Sequence, residues 1–180
     1  MIEASLVESQ VKVWDEEDAR EVHDEKYYGK ILDSGELQLS LSEALHLVER
    51  DEIEVVGDDG EAFSREELFE EFTSRDDEFP QKFSVYSDLR ERGYIVKSGF
   101  KFGAHFRVYP RGVNPYVDGP KDNKQHTQWV VHAVQEDLTM SFQEMSRAVR
   151  LANNIRATML WGVVDSENGV TYYEVDHVNP

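Results

Sequence analysis

The chain contains no cysteine, which removes disulfide frameworks and thiolate metal sites and leaves secretion without support. No apolar run approaches the roughly 20 residues needed to span a bilayer. The first residues, Met1 to Glu8, lack the basic-then-apolar build of a signal peptide. Positive charge is scarce in the first part of the chain and lysine is absent beyond Lys124. Residues 1–80 carry 26 acidic and 7 basic side chains, a net of −19, whereas residues 81–180 carry 11 and 12, a net of +1. A polyanion is repelled by the first part and tolerated by the second. The expectation is a soluble, cytoplasmic protein without a membrane partner, whose acidic part is solvated surface.

What is present divides into two modules. Residues 2–14 alternate loosely through Leu6, Val7, Val11 and Val13, a pattern for two short strands, and the charged run Asp15–Lys26 reads as a solvated helix. Glu36–Leu39 is a short strand. Ser40-Leu-Ser-Glu43 and Ser64-Arg-Glu-Glu67 are capping boxes opening helices, with the strand Ile53–Val56 between them. The polar segment Thr73–Pro80 is the expected boundary, giving an N-terminal α/β module over 1–76 and a second module over 82–180. In the second, Ser84–Arg92 is an amphipathic helix closed by Gly93. Two β-rich runs follow, Tyr94–Val96 and His105–Tyr109, and then an irregular loop, Pro110–Gln125. Thr127–Val134 is a dense strand, and Ser141-Phe-Gln-Glu144 caps a third helix. Thr158–Val164 and Val170–Val175 flank the turn Asp165–Gly169. The fold class is α+β: a small N-terminal α/β module, then a module with a mixed sheet and packed helices.

The most informative stretch is Gly93-Tyr-Ile-Val-Lys-Ser-Gly-Phe-Lys-Phe-Gly-Ala-His-Phe-Arg-Val-Tyr109. With Leu89, Arg90 and Arg92 before it, the order Leu-Arg-x-Arg-Gly-Tyr-x-Val-Lys-x-Gly-x-Lys-x-Gly-x-x-Phe-Arg-x-Tyr resembles the signature of the archaeal tRNA-splicing endonucleases. The resemblance runs from about Leu39 to Pro180 and is looser in its first half. It implies a second module of the nuclease type, acting on precursor tRNA at a bulge–helix–bulge.

RNA can be cut when its own 2′-hydroxyl attacks the adjacent phosphorus. That needs a base for the hydroxyl, an acid for the leaving 5′-oxygen and a cation for the extra negative charge. The resemblance implies a tyrosine, a histidine and a lysine in those roles, with no metal or cofactor, and 2′,3′-cyclic phosphate and 5′-hydroxyl ends. Tyr109 matches the tyrosine and His126 the histidine. The lysine should follow Arg156, but that position holds Ala157. A lost cation costs roughly 10²–10³ in rate, so the chain as written reads as an inactivated form. Two explanations stand: a lysine replaced by alanine, or a natural structural subunit that pairs with a catalytic one. Retention of both Tyr109 and His126 leans toward the first. Read without the resemblance, Tyr109 is a strand-end aromatic, His126 a solvated histidine, and His105 and His132 are structural.

The resemblance places Arg150 where an arginine stacks on a bulged base; read alone it is a surface arginine. Lys101, Arg107 and Arg111 around Tyr109 are candidate phosphate contacts, as is Lys97. Asp165 and Glu167 lie in a turn resembling the acidic loop by which family members plug a neighbouring subunit. The implied assembly is a homotetramer, or a heterotetramer with a related subunit. Val170–Val175 is an edge strand that invites pairing.

Overall fold

The computed structural model describes residues 1–116 and 126–180, and the chain divides into two units, Met1–Pro80 and Gln81–Pro180. In the first unit, β1 (Ile2–Val7), β2 (Gln10–Val13), β3 (Lys30–Ile31), β4 (Leu37–Leu39) and β5 (Ile53–Val56) form one sheet, in the order β3-β4-β2-β1-β5. Only the β1–β5 pair is parallel. The charged run forms α1 (Glu16–Arg20) and then widens into a π turn over Glu21–Glu25. Both capping boxes form, opening α2 (Leu41–Glu49) and α3 (Arg65–Arg75). The Glu43 carboxylate, nearly buried, accepts from the Ser40 amide at 2.9 Å and the Gly29 amide at 2.8 Å. One acidic side chain thus caps a helix and anchors a loop.

The expected linker Thr73–Pro80 is shorter than its composition suggested. α3 runs to Arg75, and α4 (Phe79–Glu91) begins before Ser84, with Pro80 in its first turn. Proline is tolerated there because a first-turn amide has no helical partner to lose. At the other end of α4 the Tyr94 amide reaches Leu89 O at 3.1 Å and the Gly93 amide reaches Arg90 O at 2.9 Å. Gly93 takes φ +87°, the left-handed conformation this C-terminal motif demands.

The second unit is a five-stranded sheet in the order β10-β9-β8-β7-β6. Its strands are β6 (Ile95–Ser98), β7 (Phe106–Tyr109), β8 (Trp129–Gln135), β9 (Thr158–Val164) and β10 (Val170–Val175). β8 and β9 are parallel and every other pair is antiparallel. The helix α5 (Phe142–Asn154), opened by the Ser141–Glu144 capping box, makes the crossover. The Ser141 amide and hydroxyl donate to the Glu144 carboxylate and hold it below the usual carboxylate range. Residues alternate faces along each strand. Val130, Met159 and Trp161 meet Val149 and Ala152 of α5 on one face. On the other, the Phe106 ring lies tilted against Tyr86 of α4, centroids 5.7 Å apart, and Tyr172 donates to Asp88 at 2.6 Å. Burial and that carboxylate hold the Tyr172 phenol well above the ordinary tyrosine range.

α4 approaches the sheet over Gly162, where an added Cβ would lie 2.8 Å from Val85 Cγ2. Val85 is fully buried and cannot yield. Gly162→Ala should therefore cost about 1–3 kcal/mol by overpacking. The double variant Gly162→Ala/Val85→Ala should recover part of that loss. Urea denaturation of the four proteins checks it, and strictly additive losses would mean the two sites do not press on each other.

Candidate active site

The sheet register gathers the candidate residues. β7 ends at Tyr109, antiparallel to β8, with Val108 opposite Trp129. The Gln128 amide extends that ladder to Val108 O at 2.7 Å. β9 runs parallel to β8, with Thr158 beside Trp129, and the Thr158 amide donates to Gln128 O at 3.1 Å. An antiparallel step followed by a parallel one puts the end of β7 and the starts of β8 and β9 at one end of the sheet. Tyr109 and Ala157 thus flank Gln128 at that end of the sheet, and His126 stands two residues before Gln128 in the chain.

Tyr109 is 4% exposed. The Arg107 guanidinium lies 5.9 Å from its ring centroid and 5.3 Å from that of Phe102, and Arg107 Nε donates to Ser98 O at 2.9 Å. Arg107 is thus held over two aromatic rings. Lys97, opposite Arg107, is buried; it donates to the Tyr116 hydroxyl and sits 4.8 Å from that ring. This corrects the reading of Lys97 as a phosphate contact. A period-2 strand turns it to the same face as Tyr109, where packing rather than solvent receives it. Arg111 is exposed, with its guanidinium 4.8 Å from the Tyr94 ring centroid. His126 is half-buried where the described residues resume. Of the irregular loop Pro110–Gln125, the part from 117 to 125 lies outside the described residues.

Ala157 is 5% exposed and packs in the α5 core with Ala104, Val130, Val149 and Met159. It stands just past the helix end. The Ala157 amide donates to Ala152 O and the Arg156 amide to Asn153 O, both at 3.0 Å. This is the same motif that closes α4, with Arg156 at φ +60° in the position glycine usually takes. Sequence patterning had no signal for that strain. An exposed arginine is kept in a conformation that costs about 1–2 kcal/mol, just before the start of β9.

Among the other candidates, Arg150 is exposed on α5, its Nε 3.4 Å from Ser146 O. Lys101 is exposed on a 3₁₀ turn over Phe100–Phe102. From Arg92 to Tyr116 the chain has five basic side chains and no carboxylate. The Asp165 carboxylate is spent inside its own turn, accepting from the Glu167 and Gly169 amides, both at 2.8 Å. Glu167 is exposed. His105 Nδ1 accepts from the Ala133 amide at 2.9 Å, and His132 stacks on Trp161. Among the described residues no group of three or more His, Asp or Glu is placed to hold a metal. No helix among them is long and apolar enough to cross a membrane.

Comparison with known proteins agrees with this architecture. Residues 2–69 match the family model of the tRNA intron endonuclease N-terminal domain, and residues 79–172 that of the tRNA intron endonuclease catalytic C-terminal domain. The chain is 43% identical to a tRNA-splicing endonuclease of Thermococcus onnurineus over 88% of this chain and 85% of the relative. It is 42% identical to one of Thermococcus kodakarensis over 87% and 86%. To one of Methanococcoides burtonii it is 36% identical over 96% of this chain but 47% of the relative, about half that protein's length.

The strain at Arg156 is measurable. Arg156→Gly should raise stability by roughly 0.5–1 kcal/mol, the left-handed penalty less glycine's added unfolded-state freedom. Chemical denaturation checks it. A loss of stability would mean that the guanidinium itself holds the end of α5.

Proposed function

Since this chain belongs to the tRNA intron endonuclease family, we propose that it is one subunit of an assembly that cuts precursor tRNA at its intron boundaries. What supports this is the end of the sheet where β7 finishes at Tyr109 and where β8 and β9 begin, shortly after His126 and position 157. There the 2′-hydroxyl of the nucleotide at the cut attacks its own phosphorus. Tyr109 takes the 2′-proton, the new 2′-O–P bond forms and the P–O5′ bond breaks. His126 gives a proton to the leaving 5′-oxygen, so the products carry a 2′,3′-cyclic phosphate and a 5′-hydroxyl. The third requirement, a cation on the phosphorane, is unmet at Ala157, and this chain alone cuts poorly. Bulged rather than base-paired RNA is the ligand. Arg150 takes an unpaired base, and Lys101 and Arg111 take phosphates. Arg107, already shared between two rings, orients Tyr109 and adds charge.

A second reading is favoured by a specific observation. Tyr109 and Ala157 are both nearly buried, as expected of a structural subunit that supports a catalytic partner and lends it RNA contacts. The two readings part on one substitution. Ala157→Lys, its stem running out along the helix end, should restore cleavage of an intron-containing tRNA by roughly 10²-fold or more. Tyr109→Phe or His126→Ala should remove the gain. A correctly assembled Ala157→Lys protein that still fails to cut leaves the structural-subunit reading in its place.

Assembly with a second copy or a related subunit runs through β10, an edge of the sheet, in this reading. Leu138 and Tyr173 are more than half exposed there, and with Met140 they border an apolar groove lined by Val134, Met145 and Val175. Glu167 reaches the neighbour, while Asp165 shapes the turn that presents it. Glu167→Lys should lower the assembly state seen by light scattering without unfolding the chain, whereas Asp165→Lys breaks the turn as well. An unchanged assembly for Glu167→Lys removes the turn from the interface but leaves main-chain pairing at β10 intact.

A further inference from the structure

The turn between β6 and β7 is held at both ends by its backbone. The Gly99 amide donates to His105 O at 3.0 Å, the Phe102 amide to Gly99 O at 2.8 Å and the Gly103 amide to Phe100 O at 3.1 Å. Its three side chains have different environments. Phe102 lies under the Arg107 guanidinium, Lys101 is exposed, and Phe100 is 88% exposed. A phenylalanine so exposed contributes almost nothing to the core. Any polar residue would serve the turn as well and would spare water an apolar face.

Its surroundings are specific. A Cβ on Gly103 would lie 3.7 Å from Leu151 Cδ1. The turn therefore lies against α5 at Leu151, itself 41% exposed and next in sequence to the exposed Arg150. An outward aromatic, a cation at its side and the arginine-bearing surface of a helix are thus brought together. Phe100 and Lys101 lie within a stretch free of carboxylates, in a chain whose net charge is −18. A protein partner of ordinary composition has no need of that charge selection. A polyanion with an open ring face needs both parts of it.

We propose that Phe100 is a base-stacking residue. It takes the face of an unpaired nucleotide of the RNA, and Lys101 takes a phosphate beside it. This rests on the RNA-processing reading above and adds to it a stacking contact independent of Arg150 and of the Tyr109 end of the sheet. Stacking on an aromatic ring is indifferent to base identity, so the contact selects single-strandedness and not sequence.

The test uses the full chain and two RNAs of equal length: a bulge–helix–bulge carrying 2-aminopurine in the bulge, and a continuous duplex. Phe100→Ala should weaken binding to the bulged RNA by roughly tenfold and relieve the quenching of the 2-aminopurine. Affinity for the duplex and the slope of affinity against salt should hardly change. Phe100→Trp should keep both the affinity and the quenching. Lys101→Ala should weaken both RNAs and flatten the salt slope. An alanine variant that binds bulged RNA like the parent overturns the stacking role and leaves the RNA-processing reading standing. Equal weakening on both RNAs also overturns it, because a duplex offers no free base face. A drop in assembly state with RNA binding unchanged assigns Phe100 to a protein contact instead. If the parent itself shows no preference for bulged RNA, the functional reading fails first and takes this contact with it. Because Phe100 makes no core contact, matching circular dichroism and melting curves exclude misfolding of the variants.

Discussion

The parallel pairing of β8 with β9 is the constraint on which the second unit depends. A parallel pair cannot be closed by a tight turn and needs a crossover across one face of the sheet. α5 supplies it, and the helix has to stop where β9 starts beside Gln128. That stop is the Ile155–Ala157 bend, with Arg156 in a left-handed conformation. The arrangement delivers position 157 to the end of the sheet where β7 finishes at Tyr109. Without the parallel pair, the end of α5 and the start of β8 would have no reason to be neighbours.

The crossover is held by apolar burial and not by helix propensity. A helix as short as α5 is marginal alone in water. The contacts of Val149 and Ala152 with Val130, Met159 and Trp161 supply what propensity does not, at about 1.5–3 kcal/mol for each large buried side chain. The opposite face is clamped differently. There α4 comes close enough to Gly162 to exclude a methyl group, and its Asp88 receives the Tyr172 hydroxyl. Because both faces are covered, the exposed functional surface is left to strand ends, the outer surface of α5 and the β6–β7 turn. The candidate RNA contacts lie in those places, and those between Arg92 and Tyr116 fall in a carboxylate-free stretch tolerable to a polyanion.

Local features were legible in the sequence because their causes are local. Ser40, Ser64 and Ser141 announce helix starts through a serine and a glutamate one turn apart, and all three capping boxes form. Gly93 marks the end of α4 because few other residues relax into φ +87°. The family resemblance, too, rests on the order of residues alone. The errors arose where a local signal was ambiguous. Pro80 reads as a breaker but sits in a first helical turn, and the widening of α1 into a π turn leaves no mark on composition.

Which residues meet, and which are buried, was a tertiary decision. Nothing near Tyr109 in the chain says that it ends its strand at the same end of the sheet where β8 and β9 begin; the mixed register of β7, β8 and β9 does. Lys97 and Lys101 look equivalent in the signature. Strand alternation sends Lys97 inward to Tyr116, while the turn leaves Lys101 in solvent. Asp165 and Glu167 look like a pair, yet backbone geometry spends the first on its own turn and leaves the second exposed. By itself the sequence determined the local elements and the charge division, since each depends on residue identity or on neighbours within a turn of chain. Burial and convergence depend on contacts between residues far apart in the chain, and only the packed sheet and its two helices decide those.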